Sequence, residues 1–112
     1  MLPNSKSEAM IADGLKDESI PYKYECPLMV NGIKVNPDFT IMHPKTLEIY
    51  YWEHFGLMGD ETYRAEVVWK SSQYAKAGII TGKNLIVTFE DAVCPLTPQT
   101  IKAIIRGIFV VK

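Results

Sequence analysis

Two carboxylates carry the chemistry most legible in this sequence. Asp38 follows Pro37 at the head of the segment NPDFTIMHPKTLEIYYWEHF, and Glu53 lies near its end. Apolar and aromatic residues dominate both halves of the segment, and His43-Pro44-Lys45-Thr46 between them has turn composition. Two antiparallel strands joined by so short a turn bring positions such as Asp38 and Glu53 within a few ångströms of each other. Strand alternation sets Glu53 on one face with Ile49, Tyr51 and Phe55. A carboxylate among apolar neighbours needs a partner or a cation. Two that converge need positive charge between them, and a hard divalent ion with oxygen ligands supplies it. Bound Mg²⁺ would acidify an attacking water and neutralise charge on a phosphate.

The elements that must position this pair read as mixed α/β. Ser5 and Glu8 have capping-box spacing, and Ile11, Ala12 and Leu15 follow on one helical face, with an end expected before Pro21. Tyr22, Tyr24 and Cys26 alternate with charged residues as in a half-buried strand. Asn31-Gly32 between Val30 and Ile33 signals a tight hairpin, whose returning strand is expected to run from Ile33 to Met42 with Pro37 as a kink or edge. Leu47 to Phe55 reads as the third strand, Glu61 to about Ala77 as a helix stopped by Gly78, and Asn84 to Phe89 as a short buried strand. Pro98, Ile101, Ile104 and Ile105 predict a last helix, and Ile108 to Val111 a strand or tail cut short. The order is αβββαβα, with the hairpin feeding a central sheet.

The chain has 112 residues, 47% of them apolar and 22% charged, which fits one small domain and excludes wholesale disorder. No run has the length of a membrane span, and the first residues lack a signal-peptide pattern. Cys26 and Cys94 form neither a C-x-x-C pair nor a zinc spacing, so they are expected as buried packing residues. An intracellular, reducing, cytoplasmic setting is the expectation. Net charge is −1, so no global basic field advertises nucleic acid, although Lys102, Arg106 and Lys112 follow the last acid, Asp91.

With these residues in this order, the sequence resembles the PD-(D/E)XK nuclease superfamily, the restriction-endonuclease-like fold. The likeness covers nearly the whole chain. It rests on the Glu8 helix, Pro37-Asp38, the Glu53 strand end, the following helix and the LIVTF strand. The string YWEHFG, Tyr51 to Gly56, is similar to a subgroup that includes nuclease-like domains attached to helicases. The resemblance implies an αβββαβ core, a mixed sheet flanked by helices, with a C-terminal helix added. It also implies a Mg²⁺-dependent deoxyribonuclease in which Mn²⁺ can substitute. Asp38 and Glu53 would be the metal carboxylates, the backbone carbonyl of His54 would complete the ligands, and Glu8 would match an additional glutamate. DNA is the implied partner, and a second copy or a larger parent such as a helicase the implied context.

One position departs from the family pattern. The lysine expected two residues after the second acid is replaced by Phe55. Some branches supply that lysine from the next helix, where Lys70 is the candidate and Gln73 lies one turn further on. A non-catalytic nucleic-acid-binding or interaction module that keeps the fold is therefore the alternative reading.

Each residue also has a plainer explanation. Asp38 after proline suits a turn, and Glu8 suits position N3 of a capping box. Lys70 can pair with Glu66 one helical turn away. His54 alternates to the face opposite Glu53, where a histidine is packed or hydrogen-bonded, although its nearness keeps it a second candidate base. Lys102 and Arg106 share a helix face that suits either solvent or phosphate contact.

Overall fold

The computed structural model describes residues 5–110. Helix α1 (Lys6–Asp17) begins at Ser5, whose side chain accepts the Glu8 N–H at 3.1 Å. It ends where Ser19 takes a left-handed conformation and the Ile20 N–H returns to the Leu15 carbonyl. Four strands form the central sheet: β1 (Tyr22–Tyr24), β4 (Phe39–Met42), β5 (Ile49–Phe55) and β6 (Leu85–Phe89), in the spatial order β1-β4-β5-β6. The first two pairings are antiparallel and β5–β6 is parallel. Helix α2 (Glu61–Lys76) makes the crossover between β5 and β6, starting at the Asp60 cap and stopping before Gly78 at φ 80°. Helix α3 (Pro98–Phe109) opens on Thr97, which caps the Thr100 N–H, with proline in the first turn.

The sheet separates two apolar layers. On one face Phe39, Ile41, Trp52 and Ile86 pack against Ile11, Ala12 and Leu15 of α1 and Ile101, Ile105 and Phe109 of α3. The two helices cross closely at Gly14, where an added Cβ would lie 2.9 Å from both Ile101 Cγ2 and Ile105 Cδ1. On the other face Tyr74 of α2 joins Val30, Ile79 and Leu85, with Tyr51 and Val87 against them. No helix among the described residues is long and apolar enough to cross a membrane.

Several expectations from sequence are corrected. The hairpin does not feed the central sheet: β2 (Leu28–Val30) and β3 (Ile33–Val35) form a separate two-stranded sheet on the α2 side. Its turn is as expected, with Asn31 at φ 52° and Gly32 at φ 77°. The expected strand from Ile33 to Met42 breaks at Asn36-Pro37, because proline has no N–H for the ladder. The first strand stops at Tyr24, since Glu25 is left-handed at φ 51°. The third starts at Ile49, since Leu47 at φ 64° belongs to the turn that the His43 and Leu47 N–H groups close. Ile108 and Phe109 belong to α3, whose Phe109 packs on Tyr50 and His43, so no strand begins there; Val111 lies outside the described residues. Cys94 is exposed and Cys26 half-buried, so neither is a buried core residue.

Candidate active site

Register brings the acid pair together. Phe39 pairs with Trp52 and Thr40 with Tyr51, so one step back along β4 sets Asp38 opposite Glu53 on the same face. Opposed residues of this kind have Cβ atoms roughly 4.5–5.5 Å apart. Asp38 Oδ2 accepts the His54 N–H at 2.7 Å, and its carbonyl accepts the Glu25 N–H at 3.0 Å. Asp38 is thereby fixed at the point where β1, β4 and β5 meet.

The two carboxylates live in different fields. Burial is the largest effect on Asp38 and pushes its pKa up; the charges of Glu53 and Glu8 push the same way. The His54 N–H and Lys70 oppose them, and the result is a pKa of about 7. Glu53, 2% exposed, has partners of its own: its Oε2 accepts the Tyr74 hydroxyl at 2.5 Å and lies 2.6 Å from Lys70 Nζ. The Tyr74 phenol is in turn driven above its ordinary range, first by burial and then by the Glu53 charge. Lys70 thus reaches from α2 to the strand acid instead of pairing with Glu66 along its own helix.

Phe55 sits where the strand lysine would be expected, stacked on Phe89 at 5.7 Å and edge-on to Tyr63. The only cation held against the acid pair among the described residues is therefore the helix-borne Lys70. Glu8 has the capping contact its position implies and further partners besides. It helps cap α1 through Ser5, takes the Tyr24 hydroxyl at 2.5 Å on Oε1, and raises Asp38 by its charge.

The remaining sequence candidates are not brought to the pair by their side chains. Gln73 accepts from Asn31 Nδ2 at 3.1 Å and braces the β2–β3 hairpin. Lys102 and Arg106 lie on α3, across the sheet from Glu53; Arg106 is held by Glu18 at 2.8 Å. Lys102 lines a cavity of about 310 Å³ between α1 and α3, with Met10, Asp13 and Asp17. The His54 ring turns away from Glu53, as alternation requires, and contacts Thr88 and Glu90. Its main-chain N–H, not its imidazole, touches the acid pair.

Sequence reasoning missed Tyr74, Tyr24, Thr88 and Glu90 as site-supporting residues. Tyr74 and Tyr24 look like core aromatics in a linear pattern. Thr88 lies in an apolar strand, and Glu90 just beyond it reads as a solvated end.

A hard divalent ion fits the donor set. Asp38 Oδ1 and Glu53 Oε1 stand outside the hydrogen bonds just described, and the charges of Glu53 and Glu8 add to burial in raising the Asp38 pKa. Among the described residues no three His, Cys, Asp or Glu side chains form a metal cage. One or two carboxylates with water completing the shell is the mode Mg²⁺ uses. The Glu8 carboxylate is engaged by Tyr24 and Ser5, and its charge acts on Asp38.

The Asp38 shift predicts a pH dependence of stability. The folded state holds a proton that the unfolded chain releases near 3.8, so metal-free stability is expected to fall as pH rises from about 4 through about 7. The loss is on the order of a few kcal/mol. Melting curves between pH 4.5 and 8 check this: Asp38→Asn should flatten the decline, and an unchanged slope in that variant would refute its assignment to Asp38.

What fold and site define together is a mixed α/β domain with an acid pair, Glu53 buried and Asp38 half-buried, on adjacent antiparallel strands and a lysine delivered by the crossover helix. No protein-family model matches the chain, and no curated protein or solved structure matches it at a significant level.

Proposed function

We propose that this chain is a Mg²⁺-dependent endonuclease domain of the PD-(D/E)XK type, hydrolysing phosphodiester bonds in DNA, with Mn²⁺ able to substitute. The observation that carries the reading is the opposition of Asp38 and Glu53 with Lys70 at 2.6 Å from Glu53. An acid pair and an ammonium converge although the strand position for lysine holds Phe55. The succession of α1, β1, β4, β5, α2 and β6 also follows the αβββαβ order, with β2–β3 as an insertion. DNA as the substrate, and a second copy or helicase parent as context, come from the sequence resemblance.

The bound ion would supply positive charge to the phosphate and make water more acidic. Asp38 and Glu53 would hold it. The His54 N–H fixes the Asp38 rotamer, and the Tyr74 hydroxyl fixes that of Glu53. Lys70 is 27% exposed at the side chain, so its ammonium can turn from Glu53 towards negative charge developing on a phosphate. Buried Phe55 leaves the strand side without a competing cation.

The second reading, a binding or interaction module without activity, has one observation in its favour. Glu53, Lys70 and Tyr74 satisfy one another without any ion. Incubation with single-stranded, duplex and branched DNA separates the two. The nuclease reading expects cleavage of at least one substrate with Mg²⁺ or Mn²⁺, abolished by chelation and by Asp38→Asn. Retention of the DNA without cleavage under every metal condition would establish the module instead.

A further inference from the structure

Behind the acid pair, on the opposite sheet face, a polar chain joins side chains that no part of the proposed chemistry uses. The Trp52 indole N–H donates to Thr88 Oγ1 at 3.1 Å. Thr88 is then free to offer its own proton to His54 Nδ1 at 2.8 Å, which leaves the imidazole proton on Nε2, pointing at Glu90 Oε1 2.6 Å away. The Ser7 hydroxyl donates to the same Glu90 oxygen, and the Leu96 N–H donates to Oε2 at 3.0 Å. Burial alone would raise Glu90, but the Ser7, Leu96 and His54 hydrogen bonds bring its pKa below the ordinary carboxylate value. It is an ionised acceptor that collects donors from α1, β5 and the segment leading to α3.

The chain positions of those donors give the knot its meaning. Ser7 immediately precedes Glu8, and His54 immediately follows Glu53. His54 also holds Asp38 through its main-chain N–H. Every acid of the candidate site is thus one covalent or hydrogen-bonded step from a residue that Glu90 ties down. We propose that Glu90 is a positioning residue: by clamping Ser7 of α1 to His54 of β5, it sets the spacing of Glu8, Asp38 and Glu53 and so the affinity of the acid pair for a divalent cation. This inference rests on the metal-site reading. Residues that orient metal ligands from behind change metal affinity by about 10- to 100-fold when altered.

The test uses the intact chain and Mn²⁺ alone, with free Mn²⁺ followed by electron paramagnetic resonance. Glu90→Gln keeps the shape but turns an amide N–H towards one of the donors that the carboxylate now accepts. It is expected to weaken Mn²⁺ binding about tenfold or more. Glu18→Gln is the control for simple loosening of α1, because it removes the Arg106 tie at that helix's end, remote from the acids. It should stay within about twofold of the parent. A Glu90→Gln protein that is folded by circular dichroism and binds Mn²⁺ as the parent does overturns the clamp. So does an equal loss in Glu18→Gln. If Glu90→Gln does not fold, Ser7→Ala decides: binding weakened about threefold or more supports the clamp, and unchanged binding overturns it. A parent that binds no Mn²⁺ overturns the metal site and the clamp together. A parent that binds, with the variants unaffected, overturns the clamp alone.

Discussion

Asp38→Asn and Glu53→Gln are expected to abolish cleavage alike but to move metal-free stability in opposite directions. Each removes a carboxylate oxygen from the cation's donor set, and the rate should fall on the order of 10³-fold or more. Their surroundings differ. Asp38 is half-buried beside two other acids, and its pKa of about 7 means that the charged form destabilises the fold at higher pH. Asparagine keeps an oxygen for the His54 N–H and carries no charge, so Asp38→Asn should melt above the parent at pH 8. Glu53 is the opposite case. Its charge is matched by Lys70 at 2.6 Å and by the Tyr74 hydroxyl, and it is 2% exposed. Glu53→Gln strands a half-buried ammonium and weakens the tyrosine bond, so it should melt below the parent. Added Mg²⁺ should stabilise the parent and neither variant. Paired nuclease assays and melting curves with and without Mg²⁺ check the set. Destabilisation by both substitutions would show that the two carboxylates are structural partners of basic groups and not a metal pair.

How far the sequence reached depends on the range of the interactions involved. Asp38 and Glu53 were legible because a turn of a few residues fixes their register, and register in an antiparallel pair fixes the face. Lys70 was reachable for a similar reason: α2 follows β5 directly, and a long stem spans the remaining gap. The β2–β3 hairpin shows where local signals stop. Its Asn-Gly turn was readable, yet the sheet it joins is decided by Pro37 breaking the ladder and by Asn31 docking on Gln73, 42 residues away. Glu90 was out of reach, since its partners Ser7 and His54 lie 83 and 36 residues from it. Tyr74 was invisible for another reason. A buried tyrosine on an apolar helix face has the same linear pattern whether or not its hydroxyl finds a carboxylate. The mixed α/β class with its three helices was therefore recoverable from periodicity, and the division of the strands between two sheets and the support behind the acids were not.

Lys70→Met is expected to separate charge balance from chemistry in one substitution. Methionine keeps the stem's packing on α2 and removes the ammonium. Without metal, Glu53 is left buried with Tyr74 as its remaining partner, and loss of one member of such a pair costs roughly 3 kcal/mol. A divalent ion supplies the missing positive charge, so Mg²⁺ should restore most of the lost melting temperature, and cation affinity should hold or increase because the ammonium no longer competes for Glu53. Activity should not recover with it. Nothing else among the described residues places a cation against the acid pair, and removal of one preorganised electrostatic group costs about 10²-fold in rate or more. His54 is the competitor for this role, but its ring is engaged by Thr88 and Glu90 on the far side of the sheet. The decisive comparison is kcat at saturating Mg²⁺ for Lys70→Met and His54→Ala, alongside melting curves in both metal states. Stability restored by Mg²⁺ with activity still low in Lys70→Met assigns the ammonium to the reaction. Full activity in Lys70→Met, with activity lost in His54→Ala, would transfer the role to the histidine and make the Lys70–Glu53 contact a matter of folding alone.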